Sequence, residues 1–196
     1  MYIKNTLLET LLNRDKIQSK AEIIEIMKEY EEKFGIGNKQ AMLKYLSRHK
    51  YIKRIFAELY YINSFDERIR GFCKFEDKEV LFMALNKMKV KWYVGLISAL
   101  YRSGKIWQTP NQLSIINTKF SGNKKVDGLK TKFYKTKDDL IFGLKKSKTS
   151  NGVEYFYSDP AKTHIDRVYF REANSLIRVK NTKNYLKRYP KWVGKR

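Results

Sequence analysis

The patterning of the first 62 residues, which changes from helical to strand-like, is the feature that most constrains the fold. Apolar side chains at helical spacing predict an amphipathic first helix that ends near residues 14–15; they are Ile3, Leu7, Leu8, Leu11 and Leu12. Ser19 and Glu22 have the spacing of a capping box, which predicts the start of a second helix. Gly35-Ile36-Gly37 is predicted to end that helix, because glycine tolerates the left-handed backbone of a helix C-terminus.

A third helix and a hairpin complete this pattern. Asn38 is predicted to cap a helix over roughly residues 39–49, with Met42, Leu43 and Leu46 on its apolar side. Residues 51–62 are rich in β-branched and aromatic side chains, which predicts a β-hairpin, although its turn lacks an Asn-Gly pair. Three helices followed by a hairpin form the outline of a winged helix-turn-helix, whose third helix enters the major groove. A small helical interaction domain of similar outline is the alternative.

The second part of the chain predicts a mixed arrangement. Residues 78–88 and the apolar run 92–101 are expected to be helical, and strand-like segments follow from residue 113. Asn151-Gly152 predicts a hairpin turn, and Asp159 is expected to cap a helix that Pro160 opens. We therefore expect an α+β protein: a winged helix-turn-helix over residues 1–65, a mixed α/β domain over 66–172, and a basic tail over 173–196.

Charge indicates a polyanionic partner. The 196 residues include 42 Lys and Arg against 20 Asp and Glu, a net charge of +22. Residues 1–37 are nearly neutral, whereas residues 38–60 carry six basic residues and one acid. No acid occurs between Glu79 and Asp127 or after Glu172, and each stretch carries eight basic residues. Such acid-free segments favour binding to nucleic acid.

These segments predict two sets of binding residues. The first set would bind duplex DNA, with Gln40 and Ser47 reading base edges and cationic neighbours contacting phosphates; it comprises Asn38, Lys39, Gln40, Lys44, Ser47, Arg48, Lys50, Lys53 and Arg54. The second set is a predicted basic surface of the C-terminal domain, comprising Lys87, Lys89, Lys91, Arg102, Lys105, Lys124 and Lys125.

Residue types that support catalysis are scarce. One cysteine and two histidines exclude a disulfide framework and a Cys/His zinc site, and no phosphate-binding glycine loop occurs. Asp66 followed by Glu76 and Lys78 has the loose spacing of some Mg²⁺ nucleases, but acids at a helix start explain it better. We expect no enzyme activity, metal or cofactor. The absence of a long apolar segment or a signal peptide predicts a cytoplasmic protein with no membrane partner.

Three short motifs, in this order and spacing, resemble those of the AbiEi-type antitoxins, a family of transcriptional regulators in abortive-infection and toxin–antitoxin systems. The resemblance covers residues 1–172, and its motifs are the segments 93–101 (YVGLISALY), 107–110 (WQTP) and 157–166 (YSDPAKTHID). It implies that the mixed α/β domain is an antitoxin domain. It also implies repression of the protein's own operon through inverted repeats, and neutralisation of a nucleotidyltransferase toxin without a stable complex.

The chain departs from the pattern of that family in two respects. The glycine of the family's wing is replaced by the segment Phe56-Ala57-Glu58, and the basic tail is additional.

A general nucleic-acid-binding or architectural protein is the first alternative function, with RNA as a possible ligand. A nuclease that uses Asp66, Glu76 and Lys78 is the second. For the leading interpretation we expect a monomer or a weak dimer.

Overall fold

The chain folds into two compact units with mixed helical and strand structure, Met1–Lys87 and Met88–Arg196. The computed structural model describes residues 2–34, 38–126, 128–173, 180 and 182–195. These residues form eight α-helices and nine β-strands, so the predicted α+β class is confirmed at that level. Among them, no helix has the length and apolar character needed to cross a membrane.

The first unit consists of five helices and a three-stranded antiparallel sheet. The sheet order is β1-β3-β2, so the first strand pairs with the last. The elements are, in order, α1 (Tyr2–Leu12), β1 (Ile17–Ser19), α2 (Lys20–Phe34), α3 (Lys39–Arg48), β2 (Ile52–Arg54), β3 (Leu59–Ile62), α4 (Phe65–Arg70) and α5 (Asp77–Lys87).

The predicted helices and hairpin of this unit are confirmed, and one strand, β1, and one helix, α4, are new. The capping box forms, because Ser19 N–H donates to Glu22 Oε2 at 2.7 Å and Glu22 N–H donates to Ser19 Oγ at 3.2 Å. The predicted hairpin is β2–β3. Strand β1 was not predicted, and the predicted helix end at Gly35-Ile36-Gly37 lies outside the described residues. Buried side chains from α1, α2, α3 and the sheet form one core: Leu7, Leu11, Ile23, Ile26, Met27, Tyr30, Leu46, Ile52, Tyr60 and Ile62.

The first unit extends beyond the boundary expected near residue 65. Helix α5 packs against β1, and Lys87 at its end pairs with Asp15 and Glu22. Helix α4 is tied to the sheet by Glu67, which is buried against Tyr61. Residues 66–87 therefore belong to the first unit, because their packing partners are in it.

The second unit is a six-stranded mixed sheet with helices, in the order β6-β7-β5-β4-β9-β8. Strands β4 and β9 are neighbours in this sheet and run parallel, and a helix follows each. The elements are β4 (Trp92–Val94), α6 (Leu96–Arg102), β5 (Leu113–Asn117), β6 (Gly122–Val126), β7 (Leu129–Lys135), a 3₁₀ turn (Asp138–Leu140), β8 (Leu144–Lys148), β9 (Glu154–Ser158), α7 (Pro160–Tyr169), α8 (Thr182–Leu186) and a second 3₁₀ turn (Lys191–Lys195).

The apolar run 92–101 is a strand and a helix, not the single helix that the sequence predicts. Residues 92–94 form β4, which pairs with β5 on one side and β9 on the other. Gly95 then allows a close approach between the chain and β5, since a Cβ atom there would lie 2.4 Å from Ile116 Cδ1. The Asp159 cap of α7 is confirmed, because its side chain accepts from Lys162 N–H at 2.8 Å.

The C-terminal segment is part of this unit's core rather than an appended basic tail. Tyr189 and Val193 are buried and pack with Leu140, Ile165 and Val168. Tyr185 also donates a hydrogen bond to Asp159 Oδ2 at 2.8 Å. The basic residues of this segment are thus carried by a packed element, and residues 174–179 lie outside the described part of the chain.

Candidate nucleic-acid interface

Helix α3 has one apolar side and one polar side, and the polar side faces solvent. Leu46 is buried, and Met42 and Leu43 pack against the core of the first unit. The opposite side exposes four residues at spacings that place them on one face of the helix: Gln40, Lys44, Ser47 and Arg48. No acidic residue occurs from Asn38 to Arg48. This face therefore offers hydrogen-bonding groups and positive charge together.

Asn38 caps the N-terminus of α3 with its side-chain oxygen. Its Oδ1 accepts from the backbone N–H groups of Gln40 at 3.1 Å and Ala41 at 3.0 Å. Since this oxygen is occupied by the cap, the predicted contact of Asn38 with DNA would be made by its side-chain NH₂ group. Lys39, beside it, is half-buried.

The chain reverses direction tightly after α3. Lys50 takes a left-handed backbone conformation with φ of 58°, and Asn63 Nδ2 donates to its carbonyl oxygen at 2.8 Å. Strand β2 then carries Lys53 and Arg54 next to the end of α3. The nine residues predicted to bind DNA therefore lie on α3, its Asn38 cap, the turn at Lys50 and the adjoining strand. This adjacency is local and follows from the chain order.

The hairpin turn forms without glycine and at a conformational cost. Ala57 and Glu58 have positive φ angles of 49° and 61°, a region that glycine adopts far more easily. The turn is closed by hydrogen bonds from Ile55 N–H to the Leu59 carbonyl and from Leu59 N–H to the Phe56 carbonyl. The segment that departs from the family's glycine-containing wing thus still makes a tight turn.

Glu67 is the buried charge that holds α4 against the sheet. Its carboxylate pairs with Lys16 Nζ at 2.8 Å and accepts from the hydroxyl of Tyr61 and from the N–H groups of Ser64 and Lys74. Burial alone would raise the pKa of this carboxyl, but the Lys16 ammonium and the hydrogen bonds lower it to about 2. Glu67 therefore stays ionised and is fully occupied by these partners.

The predicted basic surface of the C-terminal domain is not formed as one set. Lys87 belongs to the first unit and pairs with Asp15 at 3.0 Å and Glu22 at 2.7 Å. These two carboxylates raise the pKa of Lys87, chiefly through the hydrogen bond to Glu22. Lys87 therefore neutralises two acids of the first unit and does not contribute to a surface of the second.

The remaining six residues of that surface are all exposed, and two of them have partners in the second unit. Lys91 pairs with Asp138 at 2.6 Å, and Arg102 donates to the Tyr155 hydroxyl at 2.8 Å. The others are exposed in the second unit: Lys89, Lys105, Lys124 and Lys125. Lys125 lies directly opposite Lys130 on β7, a like-charge pair that destabilises a sheet in the absence of an anion.

The residues of the nuclease alternative do not adopt the geometry which that chemistry needs. Asp66 is in α4, Glu76 immediately precedes α5, and Lys78 pairs with Glu76 at 2.7 Å. None of them lies on a strand. Within the described ranges, no group of three or more His, Cys, Asp or Glu side chains could hold a metal ion.

A buried polar cluster in the second unit joins two of the sequence motifs, and sequence reasoning missed it. Lys162 Nζ pairs with Asp166 Oδ1 at 2.6 Å and donates to the hydroxyls of Tyr93, at 3.0 Å, and Tyr189. Burial lowers the pKa of Lys162, opposed by Asp166, and the same burial raises the pKa of Tyr93. The spacing of Lys162 and Asp166 was the available signal, but it is equally typical of an exposed helical ion pair.

The two histidines and the single cysteine lie in different parts of the structure. His49 is the C-cap of α3, and His164 is half-buried, so that burial and then Arg167 lower its pKa. Cys73 is half-buried near Asn63.

No protein-family model matches the chain, and no curated protein is significantly similar to it in sequence.

Proposed function

We propose that this chain is a DNA-binding transcriptional regulator that contacts duplex DNA through α3 and the β2–β3 hairpin. The first unit runs helix, strand, helix, helix, strand, strand, with its first strand paired to its last. That order supports a winged helix-turn-helix module, in which the third helix would enter the major groove. The predicted winged arrangement is thus part of the proposal.

The observation that carries the proposal is the solvent-exposed face of α3. Gln40 has both a donor and an acceptor for a base edge, and Lys44 and Arg48 provide charge for the flanking phosphates. Lys53 and Arg54 on β2 extend this positive charge onto the hairpin. Helix α3 itself contains no acidic residue, so the charge that it contributes to this face is positive.

The antitoxin role of the second unit is proposed from the resemblance to AbiEi-type antitoxins. Its motifs supply Tyr93, Lys162 and Asp166, which meet in one buried cluster, so the motif residues hold the unit together. We propose that the protein represses its own operon and counteracts a nucleotidyltransferase toxin without a stable complex. Co-expression with a nucleotidyltransferase encoded beside it tests this role: growth should be restored by the full chain, and continued arrest would refute the role.

Two substitutions on α3 separate affinity from sequence preference. Lys44→Ala should weaken binding to all duplexes alike and reduce the slope of affinity against salt concentration by about one unit. Gln40→Ala should cost roughly 1–3 kcal/mol at one base pair of the operator only. Lys28→Ala, at an exposed position of α2, is the control for lost charge. Equal effects of Lys44→Ala and Lys28→Ala would refute the assignment of α3.

The nuclease alternative has a direct test. The regulator proposal predicts that purified protein leaves plasmid DNA intact in Mg²⁺. Cleavage that disappears in Glu76→Ala would replace the regulator with an enzyme.

A further inference from the structure

A cationic cavity lies within the first unit, beside the proposed DNA-binding surface. It has a volume of about 350 Å³, within the usual range of small-molecule sites. The end of α3, strand β2, helix α4 and the segment after α4 form its walls. Four cationic side chains line it, namely Lys50, Lys53, Arg54 and Arg68, together with a single carboxylate, that of Glu67.

The one carboxylate does not neutralise Lys50, Arg54 or Arg68. Glu67 is already paired with Lys16 and hydrogen-bonded to Tyr61. Across the described part of the chain, no carboxylate forms an ion pair with Lys50, Arg54 or Arg68. Uncompensated cations around a concave site attract an anion, because the low-dielectric walls strengthen the field inside it.

One aromatic contact and one exposed ring give the cavity a geometry beyond positive charge. The guanidinium carbon of Arg68 lies 4.1 Å from the centroid of the Tyr51 ring, which orients the planar group. Its N–H donors remain in a fixed fork that suits phosphate oxygens. Phe72, on another wall of the cavity, leaves 58% of its side chain exposed, and a nucleic-acid base stacks on such a ring.

We propose that this cavity binds a free nucleoside phosphate, with the phosphates against Arg68, Lys50 and Arg54 and the base on Phe72. Lys50, Lys53 and Arg54 also belong to the predicted DNA interface, so a bound nucleotide and a duplex compete for them. This regulatory consequence rests on the proposed function, whereas binding of the nucleotide does not. Phosphates of the duplex backbone are the other source of the same chemistry.

Calorimetric titration of the full chain with ATP and GTP tests the site, with adenosine and inorganic phosphate as partial ligands. The nucleotides should bind, and adenosine should bind at least tenfold more weakly. Arg68→Gln should weaken nucleotide binding at least tenfold. Phe72→Ala, at an exposed position, should weaken it about threefold or more. Arg70→Gln, on the same helix but outside the cavity, should leave it unchanged.

The competition is measured separately, by displacement of a labelled duplex. Saturating nucleotide should weaken duplex binding by the wild-type chain at least fivefold. The same nucleotide concentration should leave the duplex affinity of the Arg68→Gln variant unchanged. Absence of nucleotide binding at millimolar concentration, or equal losses in Arg68→Gln and Arg70→Gln, would overturn the proposal. A third result would also overturn it: the wild-type chain binds no nucleotide, and Arg68→Gln lowers the affinity for duplex DNA. That result would mean that the cavity binds phosphates of the DNA backbone. A chain that binds nucleotide but no duplex would refute only the proposed function.

Discussion

Replacement of Glu67 with glutamine tests how the first unit is held together. The wild-type carboxylate pairs with Lys16 at 2.8 Å and accepts from Ser64 N–H at 2.7 Å and Lys74 N–H at 2.8 Å, as well as from Tyr61. A glutamine of nearly the same shape has no charge for Lys16. Its NH₂ group also faces N–H and O–H donors, so it leaves part of this network unmade.

The expected loss of stability follows from the pKa of Glu67. Burial raises this pKa, but Lys16 and the hydrogen bonds outweigh burial and lower it from 4.5 to about 2. Since one pKa unit corresponds to about 1.4 kcal/mol, the full shift corresponds to about 3 kcal/mol. The partly exposed ammonium of Lys16 is screened by solvent, and glutamine keeps some hydrogen bonds. We therefore expect Glu67→Gln to lower the free energy of unfolding by about 2 kcal/mol at pH 7.

The sign of the pH dependence is fixed by the direction of this shift. Because the pKa of Glu67 is lower in the folded chain than in the unfolded chain, its stabilising effect is complete above about pH 4.5. The effect is lost as the pH falls towards 2. The difference in stability between wild type and Glu67→Gln should accordingly be full at pH 7 and much smaller at pH 3.

Hydrogen exchange followed by mass spectrometry on the full chain is the suitable assay, because peptides from residues 1–87 are read separately from the second unit. Peptides that cover β3 and α4 should lose protection by about 30-fold at pH 7, the fold-change for 2 kcal/mol. Glu76→Gln is the control, since Glu76 is exposed and its carboxylate pairs with the exposed Lys78. Unchanged protection in Glu67→Gln, or an equal loss at pH 3 and pH 7, would refute the reasoning.

Three further predictions concern stability. Ala57→Gly should stabilise the first unit by about 0.5–1 kcal/mol in the same exchange assay, because φ there is 49°; destabilisation would contradict the strained turn. Lys162→Met should destabilise the second unit by about 3–5 kcal/mol by leaving Asp166 buried and unpaired, and Lys162→Met/Asp166→Leu should recover most of this loss in urea unfolding. Truncation after residue 172 should lower the melting temperature of the second unit, because it removes Tyr189 from the core; an unchanged melting temperature would restore the tail interpretation.

The elements of the first unit could largely be predicted because they are set by local periodicity. The apolar stripe of α3, the Asn38 cap and the capping box at Ser19 are each readable within a few residues of sequence. Strand β1 could not be predicted, because its three residues are too few to show the alternating hydrophobic pattern of a strand. Its pairing with β3 defines it. The polar face of α3 followed directly from its apolar face.

The second unit was harder to predict because tertiary partners decide its elements. The apolar run that begins at Trp92 fits a buried strand as well as a buried helix, and pairing with β5 and β9 decides the matter. The C-terminal segment looks basic in sequence, yet Tyr189 enters the core. The cavity beside α3 likewise depends on three separate segments that meet only in the folded unit, so the position of Arg68 in it was invisible to pattern analysis.

Binding of labelled duplex DNA by matched double variants tests the central claim most directly. The full chain is titrated onto a duplex from the region upstream of its own gene, and onto a scrambled duplex, while fluorescence anisotropy is recorded. Lys44→Ala/Arg48→Ala removes two cations from α3, and Lys28→Ala/Arg70→Ala removes the same two residue types from exposed positions elsewhere in the first unit. We expect at least tenfold weaker binding for the α3 variant and less than a twofold change for the control. Equal affinities of the two variants would contradict recognition of DNA through α3.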